Sequence, residues 1–227
     1  MLWSVREVFH GELERLGADL AVMCGLVCEA MERATEALRD TDLAMAEQVI
    51  SSDADIEALA ERCAEHASAL LALQAPVARD LRTVVTAIQA SEKLARMGNL
   101  ARHVAEVVRL RHPRPTAPAE ILEKLVQMGR LASAAGRRVG DAIAAPSDVL
   151  AAYQERADDE TDQLQSEVLD LVTSADPAYP VQVGVDVALL ARFCERFADQ
   201  AVTIARRLDF VVTGERHQGQ RATPPRG

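Results

Sequence analysis

The sequence predicts an all-α protein built from two tandem three-helix bundles, six long helices in all, and three observations carry that expectation. Apolar residues recur at steps of three or four along most of the chain, the spacing of one buried helical face. Aromatic residues are only 3% of a sequence that is 49% hydrophobic, so the core must be made of Ala, Leu, Val and Ile, which suits helices better than a strand-rich fold. The pattern also repeats, as residues 52–59 align with 157–164 at an offset of 105 and residues 94–99 with 194–199 at an offset of 100.

The elements follow in order. Leu13, Leu16, Leu20, Met23, Val27, Met31 and Leu38 mark a first helix over about 3–39. Asp40-Thr41-Asp42 offers N-cap residues for a second, with Leu43, Val49, Ile56, Leu59, Cys63 and Leu70 facing inward. Pro76 suits the first turn of a third helix, whose inward positions are Leu81, Val85, Ile88, Leu94, Met97 and Val104. Residues 113–118 hold three prolines, which a helix cannot accommodate. Helix four then carries Ile121, Leu125, Met128, Leu131, Val139 and Ile143, and Pro146-Ser147 separates it from helix five with Leu150, Leu164, Val168 and Leu171. A turn over 176–180 precedes helix six, with Val185, Leu189, Phe193, Phe197 and Ile204 inward. The expected organisation is a first unit over 1–112, a Pro-rich linker over 113–118, a second unit over 119–213 and a disordered tail over 214–227.

Composition excludes several function classes. The net charge is -10 and the arginines are spread along the chain, so no basic face for nucleic acid is expected. Cys24, Cys28, Cys63 and Cys194 form no Cys-x-x-Cys pair and read as buried thiols of a reducing compartment. Charged residues interrupt the N-terminal segment before a signal core can form, and no stretch reaches the roughly 18 apolar residues of a membrane span. A cytoplasmic protein that meets membranes only through partners is the expectation. The chain has no nucleophile elbow, no P-loop and no Gly-rich dinucleotide turn, so an enzyme is not expected. The paired Glu-x-x-His motifs of bundle-type di-iron enzymes are also missing, since Glu7-x-x-His10 stands alone.

Three acidic pairs at spacing four are the candidate chemistry: Asp53 with Glu57, Asp158 with Asp162, and Glu195 with Asp199. On a helix each pair projects from one face a turn apart, where like charges oppose stability by about 0.2–0.5 kcal/mol unless a cation lies between them. For a single pair, a solvated surface is the simpler reading. The first two pairs, however, occupy equivalent positions in two otherwise divergent halves, and Glu195 and Asp199 sit inside an apolar stretch. Together they form a candidate hard-oxygen site for divalent or ferric metal ions. His103, four residues after Asn99, lies on the helix that faces the first-unit positions.

Residues 71–82, reading LALQAPVARDLR, resemble the junction between helices two and three of the PhoU family. Residues 94–101 (LARMGNLA) and 194–201 (CERFADQA) resemble that family's two copies of a Glu-Arg-Ile-Gly-Asp type motif, and the resemblance extends over about 5–213, nearest to actinobacterial members. It implies paired three-helix bundles whose acidic motifs bind iron or zinc clusters in some relatives. It also implies a homodimeric negative regulator of the phosphate-starvation response, an adaptor between the ATPase subunit of the phosphate ABC transporter and a sensor histidine kinase. The alternative is a metal-dependent phosphohydrolase or redox protein using the same carboxylates. Carried onto this sequence, Glu195 and Asp199 match the second motif, with Asp158 and Asp162 on the preceding helix, and Asp53 and Glu57 match in the first unit. The first motif departs, because Ala95 and Asn99 stand where two carboxylates are expected. His103 or Glu92 would have to compensate, and neither restores the charge, so the first unit is expected to bind metal weakly or not at all.

Overall fold

The computed structural model describes residues 2–144, 150–174 and 179–214, with side chains described from residue 7 except over 150–158. It contains helices α1 (Leu2–Asp40), α2 (Leu43–Gln74), α3 (Ala78–Arg111), α4 (Ala119–Ala144), α5 (Leu150–Thr173) and α6 (Val181–Thr213), and no strand among the described residues. The breaks expected at Pro146-Ser147 and over 176–178, and the tail from 215, lie outside the described residues.

The helix ends have local causes. Asp42 caps α2, its carboxylate accepting a hydrogen bond from the Met45 amide at 3.0 Å, so one otherwise orphaned N–H is satisfied. Pro76 does not open α3 as the sequence suggests. The helix begins two residues later, at Ala78 with Val77 as N-cap, and Pro76 stands in the connection. Ala75, the residue before the proline, ends α2 as a left-handed cap with a φ of 41°.

Within each unit α2 lies on α1 and α3, and α5 lies on α4 and α6. Between the units, α1 packs on α4 and α3 on α6, so these four helices make a shared centre with α2 and α5 outside. Met23, Met31, Met97, Met128 and Phe197 are fully buried in one continuous cluster. The two units are therefore fused through one core.

Small residues set the α1–α4 spacing. A Cβ at Gly136 would stand 2.6 Å from Cys28 Sγ, and the Cys24 thiol donates to the Gly136 carbonyl at 3.2 Å. The four cysteines are all buried and unpaired, as expected from their spacing. On the α3–α6 side an ion pair joins the apolar contact: Arg111 donates to both carboxylate oxygens of Asp186, from Nε at 2.6 Å and from Nη2 at 3.0 Å.

Four positions read as inward are not. Leu81 and Val85 on α3, and Val185 and Leu189 on α6, are between 37% and 48% exposed. Periodicity identifies the direction of an apolar face but not how much of it a neighbour covers. Leu81 and Val85 border an open cleft between α3 and α6, where no helix seals them.

Candidate functional site

In the first unit, Asp53 is buried on α2 and Glu57, one turn on, is exposed. The side chain that meets Asp53 is a cation of the protein itself, as Arg102 Nε of α3 lies 2.7 Å from Asp53 Oδ2. The same guanidinium donates to Glu106 at 2.6 Å and to the Asn99 amide oxygen at 2.7 Å. Asn99 in turn donates from Nδ2 to Glu57 at 3.3 Å. Burial pushes the Asp53 carboxyl up from its ordinary range, and Arg102 pulls against that shift. The His103 ring packs against Phe193 of α6, with centroids 5.2 Å apart, and Glu92 is exposed.

In the second unit, Glu195 is buried and Asp199 half-buried on α6, and Asp162 is exposed on α5 within reach of the Asp199 charge. The side chain of Asp158 lies outside the described residues. Both oxygens of Glu195 accept from Arg192 Nη1 at 2.7 Å. Burial, followed by the charges of Asp199 and Asp159, holds the Asp162 carboxyl above its ordinary range. Burial and Asp199 do the same for Glu195, against the pull of Arg192. The three carboxylates thus sense one another across α5 and α6, although among the described residues no three His, Cys, Asp or Glu side chains are gathered to hold a metal ion as they stand.

In the second unit Asp162, Glu195 and Asp199 lie near enough across α5 and α6 for their charges to act on one another. In the first unit Asp53 is brought to an arginine instead. Arg102 and Arg192 were not foreseen, yet each left a signal. Arg102 lies three residues after Asn99 and Arg192 three before Glu195, the spacing at which helical side chains meet.

The repetition of a three-helix unit has a counterpart in a known family. The model of the PhoU domain matches the chain twice, over residues 20–108 and 125–208. The chain belongs to the PhoU family. The phosphate-specific transport system accessory protein PhoU homolog 2 of Mycobacterium tuberculosis is 44% identical over 210 residues, covering 92% of this chain and 99% of that protein. PhoU homolog 1 of Mycobacterium leprae is 42% identical, with 92% and 95% covered. The crystal structure of the phosphate transport system regulatory protein PhoU from Streptococcus pneumoniae superposes with a TM-score of 0.83 at 28% identity, covering 92% of this chain and 98% of that one.

Within this PhoU-family chain the two units differ in fitness for a metal. The second sets the hard oxygen donors Asp162, Glu195 and Asp199 near enough to raise one another's pKa values, a repulsion a divalent or ferric ion would relieve, although both oxygens of Glu195 already accept from Arg192. The first does not fit. The guanidinium of Arg102 already provides positive charge against Asp53, and an amide replaces the second carboxylate of the motif.

The raised second-unit carboxyls give a pH prediction. A carboxyl whose folded pKa is above its unfolded value stabilises the fold when protonated, and that contribution is lost as pH rises through the folded value. Asp162→Asn should therefore melt above wild type at neutral pH in chelator. The advantage should shrink as pH falls through the raised value towards about 4, the ordinary carboxylate range. Thermal denaturation of both proteins across that range is the check, and an Asp162→Asn variant less stable at neutral pH contradicts it.

Proposed function

We propose that this chain is a cytoplasmic regulator of phosphate uptake that represses the phosphate-starvation response without catalytic turnover. In this reading it is a homodimeric adaptor between the ATPase subunit of a phosphate ABC transporter and a membrane sensor histidine kinase. The observation that carries the reading is near end-to-end similarity to the accessory protein of a phosphate-specific transport system, at 44% identity over 99% of that protein's length. Two features of the chain agree with an adaptor. No described helix is long and apolar enough to cross a membrane, so contact with a membrane sensor runs through protein surfaces. Large apolar side chains stand exposed on several helices, among them Val22 on α1, Leu73 on α2 and Val181 on α6, and such surfaces suit partner contacts. Deleting the gene should derepress phosphate uptake and starvation genes in phosphate-rich medium, with repression restored by the wild-type chain. Unchanged expression in the deletion strain overturns the reading.

The second unit is the metal-bearing one in this proposal. Asp162, Glu195 and Asp199, with Asp158 on the same helix as Asp162, would hold an iron or zinc ion that neutralises their charge and ties α5 to α6. Protein purified without chelator should lose most of its bound metal in Glu195→Ala/Asp199→Ala and keep it in Asp53→Ala/Glu57→Ala, read by elemental analysis. Equal metal content in wild type and the Glu195/Asp199 double variant sinks the assignment.

A further inference from the structure

Helices α3 and α6 run antiparallel, as the pairs Lys93 with Gln200, Arg207 with Gln89 and Arg111 with Asp186 require. Near the start of α3 and the end of α6 they part to leave a cleft of about 460 Å³. That volume falls within the roughly 300–1,000 Å³ of small-molecule sites. In a chain of net charge -10, this cleft is lined by Arg82, Arg206 and Arg207 and by no carboxylate. Arginines that lie far apart in sequence are gathered here because residues 82, 86 and 89 share a face of α3, and residues 203, 206, 207 and 210 share one of α6.

Two of these arginines lack the acceptors their burial calls for. Arg207 donates from Nη1 to Gln89, yet its Nε is buried with no hydrogen-bond partner. Arg82 lies over the Phe210 ring, 5.7 Å from its centroid, and its Nε is likewise buried and unsatisfied. Neither forms an ion pair with a carboxylate among the described residues. A turn further along, the Lys93 ammonium donates to Gln200 at 3.1 Å. Its pKa is pushed down by burial and then by the nearby charges of Arg207 and Arg96. The cleft is thus lined by positive charge, with Arg82 Nε and Arg207 Nε lacking acceptors, the reverse of the carboxylate-rich site on α5 and α6.

We propose that the α3–α6 cleft binds a small phosphate-bearing anion through the guanidinium groups of Arg82 and Arg207, with Arg206 at its edge. Guanidinium forks match the oxygen geometry of phosphate, and buried N–H groups without acceptors gain most from a charged one. A phosphate fits better than a carboxylate because several positive charges converge where a monoanion supplies one. Leu81, Val85 and Phe210 add an apolar wall, so the site has room for an organic group beside the phosphate as well as for inorganic phosphate. This inference stands on the cleft alone and does not require the regulatory role.

The test is isothermal titration calorimetry of the full chain, in chelator to exclude metal bridging, with orthophosphate, tripolyphosphate and AMP as probes. At least one should bind saturably, and Arg82→Gln and Arg207→Gln should each weaken it by about tenfold or more, the scale expected for a lost charged hydrogen bond. Arg33→Gln, which alters a half-buried arginine of α1 outside the cleft, should bind as wild type does. Tightest binding of orthophosphate identifies free phosphate as the ligand type, and tightest binding of AMP identifies an organic phosphate using the apolar wall. Melting curves show which variants remain folded. Should Arg207→Gln not fold, Arg207→Lys, which keeps the charge but loses the fork, and Arg82→Gln still decide. Absence of saturable binding for all three probes, or undiminished binding in folded Arg82→Gln and Arg207 variants, overturns the proposal.

Discussion

Arg111→Ala should lower folding stability by about 3–5 kcal/mol, the cost of stranding one member of a buried ion pair. Asp186 is only 4% exposed, and its carboxylate is held by two hydrogen bonds from Arg111 and a third, at 3.2 Å, from Gln182. Without Arg111 the carboxylate remains buried among α3 and α6 with one neutral donor. The reverse variant, Asp186→Ala, should cost less, because the Arg111 side chain is 25% exposed and its guanidinium can turn towards water. The asymmetry is the informative part of the result. For a chain of this size about 4 kcal/mol corresponds to a melting shift on the order of 10 °C. Urea denaturation of both single variants and of Arg111→Met/Asp186→Leu is the measurement, with the double variant recovering much of the loss. A cost below about 1 kcal/mol for Arg111→Ala would show that the pair behaves as a surface ion pair.

At Gly129, alanine should destabilise by about 1–3 kcal/mol, although Gly to Ala inside a helix ordinarily gains up to about 1 kcal/mol. The added Cβ would lie 2.2 Å from Thr35 Oγ1 and 2.9 Å from its Cγ2, across the α1–α4 contact. Thr35 is buried and its hydroxyl donates to the Met31 carbonyl at 2.7 Å, so it cannot simply swing away. Removing the obstacle should reverse the sign: in a Thr35→Ala background, Gly129→Ala should become neutral or stabilising. A double-mutant cycle by denaturation reads this directly. Stabilisation by Gly129→Ala in the wild-type background would mean that the two helices separate at little cost.

Helical content, the repeat and the capping of α2 were legible because each rests on interactions within a few residues. The step of three or four along α1 and α4 points to Met23, Met31, Leu125 and Met128, all fully buried. Asp42 announces its cap, and the prolines over 113–118 announce the break between α3 and α4. The candidate site was half legible. Asp162, Glu195 and Asp199 could be singled out because each belongs to an acidic pair at spacing four, a pattern read within one helix. The partners of those residues could not be, since a helix period does not say which of two arginines, one on each unit's third helix, turns towards a buried carboxylate. Leu81 and Val85 mislead for the same reason, being apolar residues on the correct face of α3 beyond the reach of its neighbours.

Short-range pattern was therefore enough to establish six helices, their pairing into two repeats and the family to which the chain belongs, because hydrophobic period, caps and breakers act over one or two turns. Tertiary packing decided what surrounds the charged side chains. Within the first unit it set Arg102 against Asp53, and between the units it drew Arg82 and Arg207 into one cleft from distant parts of the chain. Charges separated by more than a hundred residues interact only through the distance between them, and that distance exists only once α3 lies against α6.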